Sequence, residues 1–286
     1  MLLRPVVASV LALVAAAGFL LPRMATAGEK PAVDLALMLA VDISGSIDLD
    51  EARLQREGYA QAISDPAVIK AITSGINGRI AVAYFEWSDS YTQNALLDWT
   101  VISDRASAEA VARKLTAEPI TTARRTSISG AIQFALPRFA GLPYTALRRV
   151  LDISGDGPNN DGGPVDLARD AALAAGIAIN GLPIMNGRQN SWGFPTLPDL
   201  DKYYEGCVIG GPGAFVVVAE DFASFDVAVR RKLILEIAAA PVPTPATRPR
   251  VIRAQTAGGY GQNGYDRGCD IGEKQSREFW RRRFDQ

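Results

Sequence analysis

The sequence predicts an α/β fold: a doubly wound, mostly parallel central sheet flanked by helices. Three observations predict it. Continuous apolar runs of strand length recur along the chain, as expected of strands buried on both faces. Segments long enough to be crossover helices lie between them. Two of the runs end in an aspartate, Asp42 and Asp156, and ligands of such sheets bind beyond the carboxyl ends of strands.

The elements follow in order. Ala36–Val41 is the first buried strand. Asp48–Ile63 has helical spacing, with Ile47, Leu54, Tyr59 and Ile63 predicted to share much of one face. Ile80–Phe85 (IAVAYF) is the second strand, and Leu96–Val101 a short one. Asp104–Leu115 reads as a helix capped by Asp104 or Ser103. Ser127–Phe139 is a helix stopped near Pro143. Val150–Ser154 (VLDIS) is a strand. Val165–Ala175 is a helix that Gly176 ends. Ile177–Leu182 and Ala214–Ala219 are strands, with a tight turn at Gly210–Gly213. Phe222–Ala240 is a long helix that halts at Pro241. Pro241–Pro249 (PVPTPATRP) is a linker by composition. A glycine-rich stretch, Gly258–Gly268, and a short basic segment, Glu273–Phe284, complete the tail. The resulting division is a leader (1–27), one α/β domain (28–240) and a linker with tail (241–286).

The leader reads as a signal peptide. Arg4 supplies its positive end, Pro5–Leu21 its apolar core and Ala25-Thr26-Ala27 a cleavage site before Gly28. The competing reading is an uncleaved anchor, since the apolar run approaches spanning length. Nothing later is long and apolar enough to span a membrane, so the mature chain is expected in the periplasm or outside the cell. Cleavage removes Arg4 and Arg23 but no acidic residue, leaving a net charge of −3. That balance argues against nucleic acid as a partner. Export permits disulfides. Cys207 and Cys269 are the only cysteines, so an internal bridge has one connectivity. It closes a loop worth about 4 kcal/mol in the chain-entropy model. Unpaired thiols or a bridge between chains are the alternatives.

There is no histidine. This removes Ser-His-Asp and Cys-His catalysis and imidazole-based zinc sites. A serine nucleophile at Ser44 or Ser46 would lack a base, since no lysine stands at a short helical spacing. Any metal must be held by oxygen, which favours Mg, Mn or Ca. Asp42-Ile-Ser44-Gly-Ser46 lies where the first strand gives way to the first helix, with Gly45 allowing a sharp turn. The same residues also suit ordinary helix caps. Two further segments point to a site. Arg125-Thr126-Ser-Ile-Ser opens a helix with a hydroxyl residue, and Asp156-Gly157 ends the VLDIS strand. Glu86, Trp87 and Asp89 follow the second strand and either approach this edge or cap the core. Asn159, Asn160 and Asp161 shape the loop after Asp156 through Asx-type turns. Arg281, Arg282 and Arg283 read as a solvated helix end or a contact for an anionic surface.

Together the three segments resemble the metal-ion-dependent adhesion site of von Willebrand factor A domains: D-x-S-x-S, a threonine ahead of a helix, then a strand-terminal Asp-Gly. The segments LQREGYAQAI, RIAVAYFEWS, RRVLDISGDGPNN, AGIAINGLPI, YYEGCVIGGPGAF and RRKLILEIA resemble a narrower, uncharacterised family of secreted bacterial A-domain-like proteins, over about Val33 to Ala240. The resemblance implies one divalent cation, Mg or else Mn or Ca, held by Asp42, Ser44, Ser46, Thr126 and Asp156. It further implies a binding module that engages an acidic group on a protein or other ligand; with no histidine and no catalytic constellation in the chain, an enzyme is not expected. A haloacid-dehalogenase-type phosphatase using Asp42 and Mg is the rival, because Gly155-Asp156-Gly157-Pro158-Asn159-Asn160 is close to a motif of that family. Ser44 stands where such enzymes place their acid. The third reading is a structural exported domain without a functional metal.

Overall fold

The computed structural model describes residues 29–185, 187, 196–238, 250–253 and 265–284. The leader and Pro241–Pro249 lie outside them. Seven strands form one sheet in the order β3-β2-β1-β4-β5-β6-β7. They are β1 (Ala32–Asp42), β2 (Ile80–Trp87), β3 (Gln93–Ile102), β4 (Thr145–Gly155), β5 (Ala178–Pro183), β6 (Phe215–Val218) and β7 (Arg250–Arg253). All neighbours pair in parallel except β2 and β3. The helices are α1 (Leu49–Ser64), α2 (Pro66–Thr73), α3 (Arg105–Ala117), α4 (Ile128–Ala140), α5 (Val165–Ala174), α6 (Leu200–Tyr203), α7 (Phe225–Ala238) and α8 (Ile271–Phe284). None of the described helices is long and apolar enough to cross a membrane.

The alternation of side chains along each strand builds two cores. In β1, Leu35, Leu37, Leu39 and Val41 pack with residues of α1, α2, α3 and α7 on one face. Ala36, Met38 and Ala40 point to the other face, against residues of α4, α5 and α6. Both faces are covered, which is why the strands read as unbroken apolar runs. Successive connections from β1 lead outward to β2 and β3, and those from β4 lead the opposite way. The strand order therefore reverses between β1 and β4, and the crevice at their carboxyl ends is the natural ligand site of this topology.

Several elements differ from the sequence reading. β1 starts at Ala32 and β3 spans Gln93–Ile102, so both strands are longer than expected. Only five residues separate β2 from β3, too few for a crossover, and the pair is antiparallel. Leu54 is 48% exposed and does not join Tyr59 and Ile63; Gln55 and Arg56 take the buried face instead. Helix α2 was not foreseen, although Asp65 caps it and Pro66 opens it. Helix α7 begins at Phe225, three residues later than Phe222. Tyr204–Val208 form a π-helical turn after α6. Beyond the Pro-rich stretch, Arg250–Arg253 adds the seventh strand, and the basic tail segment is helix α8.

Candidate functional site

Three loops meet at the carboxyl ends of β1 and β4. Val41 and Ser154 are register partners, so Asp42 and Asp156 leave neighbouring strands side by side. In the first loop, Asp42 Oδ1 accepts the Ser44 N–H at 2.7 Å, turning the chain sharply. Helix α1 is capped by Asp48, which accepts from the Asp50 and Glu51 N–H groups and forms a capping box with Glu51. Ser46 is therefore not the cap. Its hydroxyl donates to Asp156 Oδ1 at 2.5 Å and lies 3.4 Å from Ser44 Oγ.

The second loop lies directly on the first. The Ala123 N–H donates to the Ile43 carbonyl, and a Cβ on Gly45 would come within 2.9 Å of the Arg124 carbonyl oxygen. Only glycine admits this approach. Thr126 Oγ1 donates to Ser44 Oγ at 3.2 Å. The Thr126 backbone is held reciprocally by the third loop: its N–H donates to Asn160 Oδ1, and the Asn160 N–H donates to the Thr126 carbonyl. Ser127 caps α4 by accepting the Gly130 N–H.

Asp42, Ser44, Ser46, Thr126 and Asp156 thus converge through four short contacts, and all but Ser46 are buried. Asp42 is fully buried and its Oδ2 has no hydrogen-bond partner. Burial, and next the charge of Asp156, push the Asp42 carboxyl well above the usual carboxylate range. The buried Asp42 carboxylate is poorly compensated by protein alone. The oxygen spacings of 2.5–3.4 Å bracket the separation of about 3 Å between adjacent ligands of an octahedral cation at roughly 2.1 Å. The donor set fits a hard divalent cation. Among the described residues no group of three or more His, Cys, Asp or Glu is suited to a metal, and three of the five residues here are hydroxyl-bearing.

Other sequence candidates are placed elsewhere. Glu86 forms a buried ion pair with Arg56 at 2.7 Å, and burial raises its carboxyl despite that partner. Trp87 is fully buried in the core, while Asp89 orders the turn after β2. Asn159, Asn160 and Asp161 do shape the third loop, but through contacts with the second loop and its surroundings: Asn159 Oδ1 accepts the Ser129 N–H, and Asp161 accepts from Ser90 and pairs with Arg125. Gly211 and Gly213 adopt positive φ in the turn before β6. Cys207 and Cys269 form a disulfide with sequence separation 62.

Sequence reasoning missed three contributors. The Gln55 side chain donates to the Asp42 carbonyl from α1. A Cβ at Gly155 would sit 2.8 Å from Asp42 Oδ2 and 2.9 Å from the Tyr204 hydroxyl, so this glycine leaves room for both groups. The Tyr204 hydroxyl is buried without a hydrogen-bond partner beside the unpartnered carboxylate oxygen. The sequence carried a signal only for Gly155, as the small residue before Asp156.

The fold is similar to that of solved von Willebrand factor A proteins. Proximal thread matrix protein 1 from the mussel byssus superposes with a TM-score of 0.52 at 14% identity, covering 73% of this chain and 48% of that one. A von Willebrand factor type A protein from Catenulispora acidiphila gives 0.50 at 14% identity, covering 72% and 43%. The pilus adhesin SpaC from Lactobacillus rhamnosus GG gives 0.52 at 12% identity, covering 73% and 32%. The chain spans less than half the length of each. No curated protein matches the chain in sequence. The model of a family described as protein of unknown function, DUF1194, matches residues 32–241, and the chain belongs to that family.

Proposed function

We propose that this chain is an exported, divalent-metal-dependent binding module that engages an acidic group of a partner protein or other ligand. The observation that carries this reading is the convergence of Asp42, Ser44, Ser46, Thr126 and Asp156 at the strand-order reversal, with the buried Asp42 Oδ2 left unpartnered. Asp42 and Asp156 supply two negative charges and the three hydroxyls supply neutral oxygens, a set suited to Mg, Mn or Ca. A bound cation would supply an electrophilic centre to which a partner's carboxylate can attach. The fold shared with a pilus adhesin and a byssal matrix protein supports a binding role. The signal-like residues 1–27 support export.

Calorimetric titration of Mg and Mn into chelator-treated mature protein tests this, alongside Asp156→Ala. One saturable site, lost in the variant, is the expected result. Absence of binding in the wild type overturns the metal-bridge reading. Mg-dependent turnover of a phosphate monoester that requires Asp42 would favour a hydrolase instead.

A further inference from the structure

The C-terminal helix is fastened to the third loop of the candidate metal site. The Cys207–Cys269 bridge anchors the chain two residues before α8 begins. Gly272 then lies against the loop so closely that a Cβ would stand 2.1 Å from the Asn159 carbonyl oxygen and 3.1 Å from Pro158 Cβ. Glu273 Oε1 accepts from Asn159 Nδ2 at 2.7 Å. The Tyr203 hydroxyl accepts the Asn159 N–H at 3.2 Å and donates to the Cys269 carbonyl at 3.3 Å. Asn159 is fully buried and turns these contacts inward: its Oδ1 accepts the Ser129 N–H of α4, and its Nδ2 also donates to the Gly163 carbonyl. The next residue, Asn160, holds the Thr126 backbone from both sides. An unbroken series of contacts therefore runs from the disulfide through Glu273 and Asn159 to the loops carrying Asp156 and Thr126.

We propose that α8 is a disulfide-latched clamp that sets the geometry of the metal site, with Glu273 and Gly272 as positioning residues acting through Asn159. This rests on the metal-binding reading above. The clamp touches none of the five oxygen donors, yet it fixes the loop that presents one and supports another. Groups that orient metal ligands in this indirect way commonly govern affinity.

The test uses the mature oxidised protein with Mn as probe, and three variants: Glu273→Ala, Glu273→Gln, and the pair Cys207→Ser with Cys269→Ser. Hydrogen exchange over residues 156–163 is followed without metal. Glu273→Ala and the cysteine pair are expected to weaken Mn affinity by roughly ten- to hundredfold and to speed exchange in that loop. Glu273→Gln keeps an acceptor for Asn159 Nδ2 and is expected to retain wild-type affinity and protection. Wild-type affinity in Glu273→Ala with unchanged loop exchange overturns the clamp. Faster loop exchange in a protein whose wild type binds no Mn would uphold the clamp's mechanics while removing the metal reading.

Discussion

Ser46 and Asp156, 110 residues apart in sequence, are joined by a hydrogen bond of 2.5 Å from hydroxyl to carboxylate. That bond closes the first loop onto the third and brings Asp156 within electrostatic reach of the buried Asp42. Asp156→Asn keeps the shape and removes the charge. In chelator, it relieves repulsion on Asp42, and Tm should rise by about 2–4 °C for each kcal/mol recovered in a domain of this size. Adding Mn at a hundred times its Kd should stabilise the wild type by about 2.7 kcal/mol and leave Asp156→Asn unmoved. Differential scanning calorimetry reads both effects. A variant that is less stable in chelator yet still shifts with Mn would remove Asp156 from the site.

Gly155 and Gly157 flank Asp156 and make opposite predictions. A Cβ at Gly155 meets Asp42 Oδ2, Asp42 Cβ and the Tyr204 hydroxyl at 2.8, 3.2 and 2.9 Å. Gly155→Ala should cost about 1–3 kcal/mol through overpacking and displace the Asp42 carboxylate, weakening Mn binding. A Cβ at Gly157 finds its nearest neighbour, Thr126 Oγ1, at 3.7 Å, an ordinary contact. Gly157→Ala should leave stability and affinity near wild type. Urea denaturation with Mn titration of both variants decides the matter; equal effects at the two positions would show that the crowding at Gly155 is immaterial.

The parts of the site visible in the sequence were those punctuating apolar strands. Asp42 and Asp156 stand where runs of buried residues stop, and Thr126 stands just ahead of a helical segment. Tyr204 gave no such sign, because a π-helical turn has no apolar periodicity to mark it. Gln55 and Arg56 were missed for a related reason. Periodicity counts apolar residues, so it placed Leu54 inside, while the inward face of α1 carries two polar side chains, Gln55 donating to the Asp42 carbonyl and Arg56 paired with Glu86. The mostly parallel sheet followed from alternation of strands and helices, whereas the strand order is set by tertiary pairing that local pattern does not carry. The edge strand β7 was hidden because four residues beyond a Pro-rich stretch are too short a pattern to distinguish from tail.

Arg56 and Glu86 are each 2% exposed and form a two-pronged pair, Nε to Oε1 at 2.9 Å and an Nη to Oε2 at 2.8 Å. Arg56 also donates to the carbonyls of Glu118 and Pro119, which begin the segment leading to Thr126. Arg56→Met should therefore cost about 3–5 kcal/mol, since it strands Glu86. It should also loosen the second loop. Combining it with Glu86→Leu should recover much of the stability, because no charge is then left buried. Urea midpoints of the two single variants and the pair measure the coupling. Additive losses would show that Arg56 and Glu86 act independently.

Asp152, Lys232 and Glu236 make a second buried ionic group between β4 and α7, with Lys232 Nζ 2.6 Å from Asp152 and 2.5 Å from Glu236. Burial, and next the charge of Glu236, push the Asp152 carboxyl up from 3.8 to about 7, against the opposing pull of Lys232. Between these values the folded chain holds a proton that the unfolded chain releases. Stability from this group is therefore full below about pH 4 and declines as pH rises towards 7. Asp152→Asn, a neutral residue of similar shape, should flatten that decline while keeping the fold. Asp42, Glu86 and Glu273 are also raised by burial and act in the same direction, so a residual slope is expected. Lys232→Met instead leaves two carboxylates buried together and should cost about 3–5 kcal/mol near pH 7, and less in acid. Urea midpoints in chelator from pH 4 to 8 check both variants. Parallel profiles for the wild type and Asp152→Asn would show that Asp152 does not take up the proton.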